Sequence, residues 1–160
     1  MLTQKRLKEL LEYNPETGIF IRKTAIAQVK AGSIVGYSQS GYLAARLDAS
    51  PYYLHRLAWI YVHGYFPKDQ IDHINCIRKD NRIVNLREAT DAENRQNMPN
   101  LRKDNVTGFT GVSPHKATGK FRARVKINGK EIHLGLFETK EQAYEIHIKE
   151  KRKHYPFCTI

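Results

Sequence analysis

Between Gln70 and Asn97 the chain reads QIDHINCIRKDNRIVNLREATDAENRQN. Asp72 and His73 stand side by side at the end of a short apolar run. A polar, Asn-rich stretch follows, and then a segment that carries Asn94 and Asn97. A carboxylate, an imidazole and carboxamides within so few residues supply hard oxygen donors for one divalent cation and, beside them, a group able to accept a proton. Such a set suits hydrolysis.

The elements that must position these groups are short. Ile71 and Ile74 bracket the Asp72-His73 pair in a strand, where neighbouring side chains point to opposite faces. Alternation therefore separates the pair unless the strand ends or twists there. Residues 75–82 are polar enough to turn the chain back, and Asn85-Leu86-Arg87 reads as a second short strand or a turn. Thr90-Asp91-Ala92-Glu93 has the pattern of a capping box, which starts a helix at Asp91 and lets it run to Met98, before Pro99. Asn94 and Asn97, three apart, share one face of that helix. Strand, loop, strand and helix can thus bring Asn94 against Asp72, with Asn97 as the second choice for its place.

Before this centre, residues 3–12 space Leu7, Leu10 and Leu11 as a short amphipathic helix. Residues 14–18 (NPETG) form a turn, residues 19–21 a strand, and strands are expected near 34–37 and 42–47. Residues 53–63 put Leu54, Leu57, Ala58 and Tyr61 on one helical face, with Gly64 as the stop. Arg56, at the start of that helix, is a candidate phosphate contact; His55 reads as a core histidine. Beyond the centre, residues 101–107 are polar and without periodicity, as in a linker. Residues 120–127 (KFRARVKI) alternate, with Phe121, Ala123, Val125 and Ile127 on one face and Lys120, Arg122, Arg124 and Lys126 on the other. Asn128-Gly129 signals a hairpin. A third strand at 131–136 and a helix at 141–153, laying Ala143, Ile146 and Ile148 on the sheet, complete the unit. His115, His147 and His154 are assigned to solvated or DNA-facing surfaces.

The formal charge of the 160 residues is +11. Residues 1–100 hold 14 Lys/Arg against 10 Asp/Glu, a net +4, and residues 101–160 hold 13 against 6, a net +7. Such a balance favours a polyanionic partner, because basic side chains release counterions condensed on phosphates. No window approaches the roughly 18 apolar residues of a membrane span, and the polar start MLTQKRLKEL is not a secretory signal. Cys76 and Cys158 are too few for a four-thiolate zinc site or a disulfide framework. A reducing cytosol is the expected setting.

His55-Arg56-Leu57, Asp72-His73, Asn81, Asn85-Leu86-Arg87, Thr90 and Asn94 resemble the HNH, or ββα-metal, nucleases, most closely the small phage and intron-encoded homing endonucleases. Gly111-Val112, Lys120-Phe121, Leu134-Gly135-Leu136-Phe137 and Thr139-Lys140-Glu141-Gln142-Ala143 resemble the Apetala/ethylene-response-factor type of DNA-binding domain. The two resemblances cover about 53 to 156. They imply His73 as general base, Asp72 and Asn94 as ligands to one Mg²⁺ or Mn²⁺, and Asn85 as the residue that holds the His73 loop. They also imply 5′-phosphate and 3′-hydroxyl products. Asn75-Cys76-Ile77 departs from the Asn-Gly-Asp usual in these relatives, which removes easy access to positive φ. Phe121 stands where Trp is common, and His133 where some relatives place a base-contacting aromatic residue.

The expected fold class is therefore α+β: an N-terminal β scaffold with a ββα-metal motif, then a three-stranded antiparallel sheet on one helix. Residues 1–100 would form the nuclease domain (motif about 68–98), 101–107 the linker and 108–160 the DNA-binding domain. Double-stranded DNA is the expected partner, contacted by Arg56, Lys120, Arg122, Arg124, Lys126 and His133. The chain is expected to act as a monomer or homodimer, apart from membranes, in the nucleoid-associated cytosol of a bacterial host. An RNA-directed nuclease fits less well, because residues 120–127 lack the aromatic platforms of single-stranded RNA modules. The competing class is a non-catalytic DNA-binding regulator.

Overall fold

The first helix stops where the apolar spacing changes from helical to alternating. In the computed structural model, which describes residues 2–98, 101 and 103–159, α1 spans Gln4–Leu10 and is capped by the Thr3 hydroxyl, which accepts from the Arg6 amide. Leu11 does not extend this helix. It opens β1 (Leu11–Asn14), whose alternate residues Leu11 and Tyr13 are buried. Two compact units follow from the chain's contacts, Met1–Asn94 and Arg95–Ile160. Pro99, Asn100 and Arg102, at the expected domain boundary and in the expected linker, lie outside the described residues.

In the first unit β1 pairs antiparallel with β2 (Ile19–Arg22), which pairs with β3 (Ile34–Val35). A second small sheet runs β4 (Tyr37–Gln39), β5 (Tyr42–Leu47), β6 (Ser50–Tyr53). Pro51 argues against a strand at β6, yet a strand at the sheet edge tolerates the missing donor. Next comes α2 (Leu54–His63), ended by Gly64 at φ 84°, where the left-handed conformation suits glycine. Leu54, Leu57, Ala58 and Ile60 of α2 join Leu7, Leu10, Leu11, Phe20 and Leu47 in the core. Two short antiparallel strands, β7 (Gln70–His73) and β8 (Leu86–Ala89), lead into the helix α3 (Asp91–Asn97), which crosses the boundary after Asn94. The α3 cap is as expected: the Thr90 hydroxyl accepts from the Glu93 amide, and the Glu93 carboxylate accepts from the Thr90 amide.

The second unit is an antiparallel sheet in the order β11 (Lys130–Phe137), β10 (Lys120–Ile127), β9 (Val112–His115), with α4 (Lys140–His154) packed on it. Asn128 and Gly129 both take positive φ, as a two-residue hairpin of this twist demands. A register shift after Ala123 sets Arg124 opposite His133 and leaves Leu134 out of the pairing. Helix α4 buries Ala143, His147 and Ile148. His147 is thus not on a surface, as its polarity suggested; it is 4% exposed and holds the Arg124 carbonyl through Nδ1 at 2.7 Å. It lies so close to Gly111 that a β-carbon there would overlap its ring. Asn105 and Thr107, in the expected linker, fold into side-chain-capped turns on the amides of Thr107, Gly108 and Phe109. Among the described residues no helix is long and apolar enough to cross a membrane. The protein is thus a mixed α/β chain of helices and small antiparallel sheets.

Candidate active site

Asp72 and His73 end β7, paired across the ladder with Arg87 and Leu86. The strand runs through both, so their side chains diverge to opposite faces. Each residue is 5% exposed.

On the Asp72 face, Arg87 donates from Nε (2.8 Å) and Nη2 (2.7 Å) to Asp72 Oδ2. Gln70, two residues earlier, shares this face. Its Nε2 donates to Asp91 Oδ1 at 3.1 Å. A carboxylate can only accept, so the amide nitrogen of Gln70 must face Asp91 and its oxygen must face the other way. That oxygen accepts from Asn94 Nδ2. The chain Asp91–Gln70–Asn94 thereby fixes both amide orientations and leaves the Asn94 oxygen as the end that can ligate a cation. Asn97 lies beyond the boundary after Asn94 and bonds within the second unit. It is buried, its Oδ1 accepting from the Thr159 amide at 3.1 Å and from the Thr159 hydroxyl.

On the other face, the His73 ring lies 5.1 Å from His55 and 5.9 Å from Tyr42, centroid to centroid. Its Nε2 is 3.4 Å from Asn81 Oδ1. The Asn81 backbone is anchored, its main-chain carbonyl accepting from the Tyr13 hydroxyl at 2.7 Å. Burial lowers the pKa of His73 against the opposing pull of Asn81 and Asp72, so the imidazole is neutral at neutral pH.

His55, at the start of α2, stacks on Tyr53 at 5.4 Å and is pushed down to about 3 by burial, with His73 and Arg56 adding to the effect. A depressed histidine contributes stability that is present above its ordinary value near 6.5 and is lost as pH falls toward 3. The slope approaches about 1.4 kcal/mol per pH unit at most. Urea midpoints measured from pH 7 to 4.5 are therefore expected to fall more steeply in the natural protein than in His55→Gln. Parallel curves would refute this.

The loop between β7 and β8 is tied by Asn85. Its Oδ1 accepts from the Asn75 amide (2.9 Å) and its Nδ2 donates to the Asp80 carbonyl (2.9 Å). The Asp80 carboxylate, held near 2 chiefly by Arg82, also receives Asn75 Nδ2 at 2.7 Å. Cys76, standing where relatives have glycine, nonetheless takes φ 60°, and its amide donates to the His73 carbonyl at 2.8 Å. A non-glycine residue pays about 1–2 kcal/mol for that conformation, so the bonds around Asn75 and Asn85 must offset it. Behind the loop, Gly18 (φ 74°) abuts the backbone of Asn81 and Arg82, where a β-carbon would sit 2.6 Å from the Arg82 nitrogen. Gly18→Ala is expected to cost on the order of 2–3 kcal/mol, read as a lowered urea midpoint; an unchanged midpoint would contradict the contact.

The expected DNA contacts are distributed. Arg56 gives Nη1 to the Asp69 carbonyl (3.0 Å) and Nη2 to the Pro67 carbonyl (3.1 Å), clamping the segment that enters β7. Lys120 pairs with Glu138 at 2.6 Å, and Arg124 with Glu131 at 3.2 Å. Arg122, Arg124 and His133 line a groove of about 250 Å³ together with His115, Glu131 and Leu136. Lys126 is exposed.

Asp72 carboxylate and Asn94 carboxamide oxygens are hard donors of the kind Mg²⁺ and Mn²⁺ select, so this donor set fits such an ion. Among the described residues no group of three or more His, Cys, Asp or Glu gathers as a metal cluster.

Residues 52–96 match the family model of HNH endonucleases, HNH_3. The match runs from the end of β6 through α2, β7, the Asn85 loop and β8 into α3, so it contains Asp72, His73, Asn85 and Asn94. It supports an endonuclease of the HNH type. No curated protein and no solved structure matches the chain. Within the HNH segment, sequence reasoning passed over Gln70 and gave Arg87 and Asn81 no role of their own. Period-two alternation from Asp72 singles out Gln70, whereas the Asp72–Arg87 pairing depends on a cross-strand register that no local pattern states.

Proposed function

We propose that the chain is a metal-dependent DNA endonuclease of the homing type that hydrolyses phosphodiester bonds. The observation that carries this reading is the divided Asp72-His73 pair: a carboxylate on the face of β7 that it shares with Gln70, the partner of Asn94, and a neutral imidazole on the other, inside the HNH-matching segment. HNH nucleases generally use a divalent metal. Asp72 and Asn94 would hold it here, and when bound it neutralises charge on the scissile phosphate and on the departing 3′ oxygen.

The rest of the reaction falls to the chain's own groups. His73, kept neutral by burial, takes the proton of the attacking water. Asn81 holds one edge of its ring, so proton transfer uses a fixed imidazole. Asn85 keeps the loop closed behind it through the Asn75 and Asp80 backbone. The products are a 5′ phosphate and a 3′ hydroxyl. The cationic side of β10, with His133, binds the duplex; its tether to the HNH segment raises the effective concentration of DNA there. In this reading residues 108–160 are an Apetala/ethylene-response-factor-like domain. One such centre per chain predicts that a monomer nicks one strand, and a mobile element of a bacterial phage is the fitting origin, acting at the host nucleoid.

Incubating the pure protein with supercoiled plasmid and Mg²⁺ tests the reading. Conversion to open circles, blocked by a chelator, is expected. Stable DNA binding with no nicking under any divalent metal would instead favour a non-catalytic regulator.

A further inference from the structure

We propose that Arg87 makes divalent-metal binding conditional on DNA. This rests on the reading of Asp72 and Asn94 as the metal ligands. The carboxylate of Asp72 is the one ligand of that pair that carries charge, and it is nearly buried. Arg87 stands opposite it in the ladder and puts two donors on a single oxygen, Oδ2. The pair is neutral as a whole, so a cation approaching the protein alone meets an anion already compensated.

The two carboxylates at the start of α3 keep their charge but are engaged with neighbouring groups. Asp91 is joined to Gln70, and Glu93 is spent on the amide and hydroxyl of Thr90. Asn94 contributes a dipole and no charge. Magnesium sites of this sort are completed by substrate phosphates. A DNA phosphate does two things at once: it supplies the missing negative ligand, and it offers the guanidinium of Arg87 a second anion whose geometry suits its donor fork. Metal and DNA then reinforce one another, each binding better in the presence of its partner. The consequence is a nuclease whose centre is charged with metal chiefly at the substrate.

Mn²⁺ binding, read from the electron-paramagnetic-resonance signal of the free ion, tests this in the full chain. The His73→Ala background keeps the duplex intact. A short duplex of mixed sequence is expected to tighten Mn²⁺ binding about tenfold or more, within the usual range of site-to-site coupling. Asp72→Asn with duplex sets the background due to ions condensed on DNA. Arg87→Gln is expected to bind Mn²⁺ without DNA about fivefold more tightly than its parent and to show a smaller duplex effect. Arg87→Met, which keeps the stem, carries the same expectation should Arg87→Gln fold poorly, and Arg87→Lys is expected to keep the parental pattern. Weaker or unchanged DNA-free binding in the Gln and Met variants, or no duplex effect in the parent, overturns the proposal while leaving the metal centre in place. Parental Mn²⁺ binding by Asp72→Asn overturns the metal centre itself, and the Arg87 proposal with it.

Discussion

His73→Ala is expected to slow cleavage by about 10²–10⁴-fold, the range general bases supply, while DNA affinity stays within about twofold of the natural protein. The two readouts separate because His73 sits at the end of β7 against His55, Tyr42 and Asn81, whereas the cations expected to grip DNA stand on β10. Single-turnover rates at saturating DNA, together with filter binding, measure both. Removing the ring also opens space beside His55, so the variant's urea midpoint belongs beside its rate. A cleavage rate unchanged by the substitution would remove His73 from the chemistry.

The second large effect concerns binding. Arg122 and Lys126 form no ion pair among the described residues, and Arg122 Nε is buried without a partner. Lys120 and Arg124 already face Glu138 and Glu131, so DNA must compete with those carboxylates for them. Replacing Arg122 and Lys126 together by Ala is expected to weaken duplex binding roughly tenfold or more near 0.1 M salt. It should also reduce the steepness of log K against log salt by about two, one for each lost phosphate contact. The corresponding change at Lys120 and Arg124 is expected to do less. Cleavage at saturating DNA should survive both. Equal losses from the two pairs would mean that the internal ion pairs open freely and that charge alone governs the face.

How much of this could be read before folding depends on the range of the interaction. The α3 cap at Thr90 and Glu93, the Asn128-Gly129 hairpin and the alternation along β10 are local patterns, and all three are present. Boundaries were weaker. Leu11 fits a helical repeat and a strand equally well until the pairing of Tyr13 with Phe20 decides for β1, and Pro51 hid the edge strand β6. Burial of His147 in place of Ile146 ran against polarity, because the close approach of Gly111 and the Arg124 carbonyl make a place for an imidazole. At the site, Asp72, His73, Asn85 and Asn94 stood out by type and spacing. Gln70 did not, and Asn81 and Arg87 belong to the family pattern without a role of their own, since each of the three acts through a partner 8 to 24 residues away in sequence. The loop shows the same limit: loss of the usual glycine suggested a changed turn, yet Cys76 holds positive φ because the bonds of Asn75 and Asn85 surround it.

The most direct measurement is the chemistry of the ends. An end-labelled duplex cut by the pure protein in Mg²⁺ should yield 5′-phosphate and 3′-hydroxyl termini that a ligase rejoins without prior treatment, and the reaction should stop on chelation. Cleavage that persists in chelator, or that leaves 3′-phosphate ends, would contradict a hydrolysis run by His73 beside a cation held at Asp72 and Asn94.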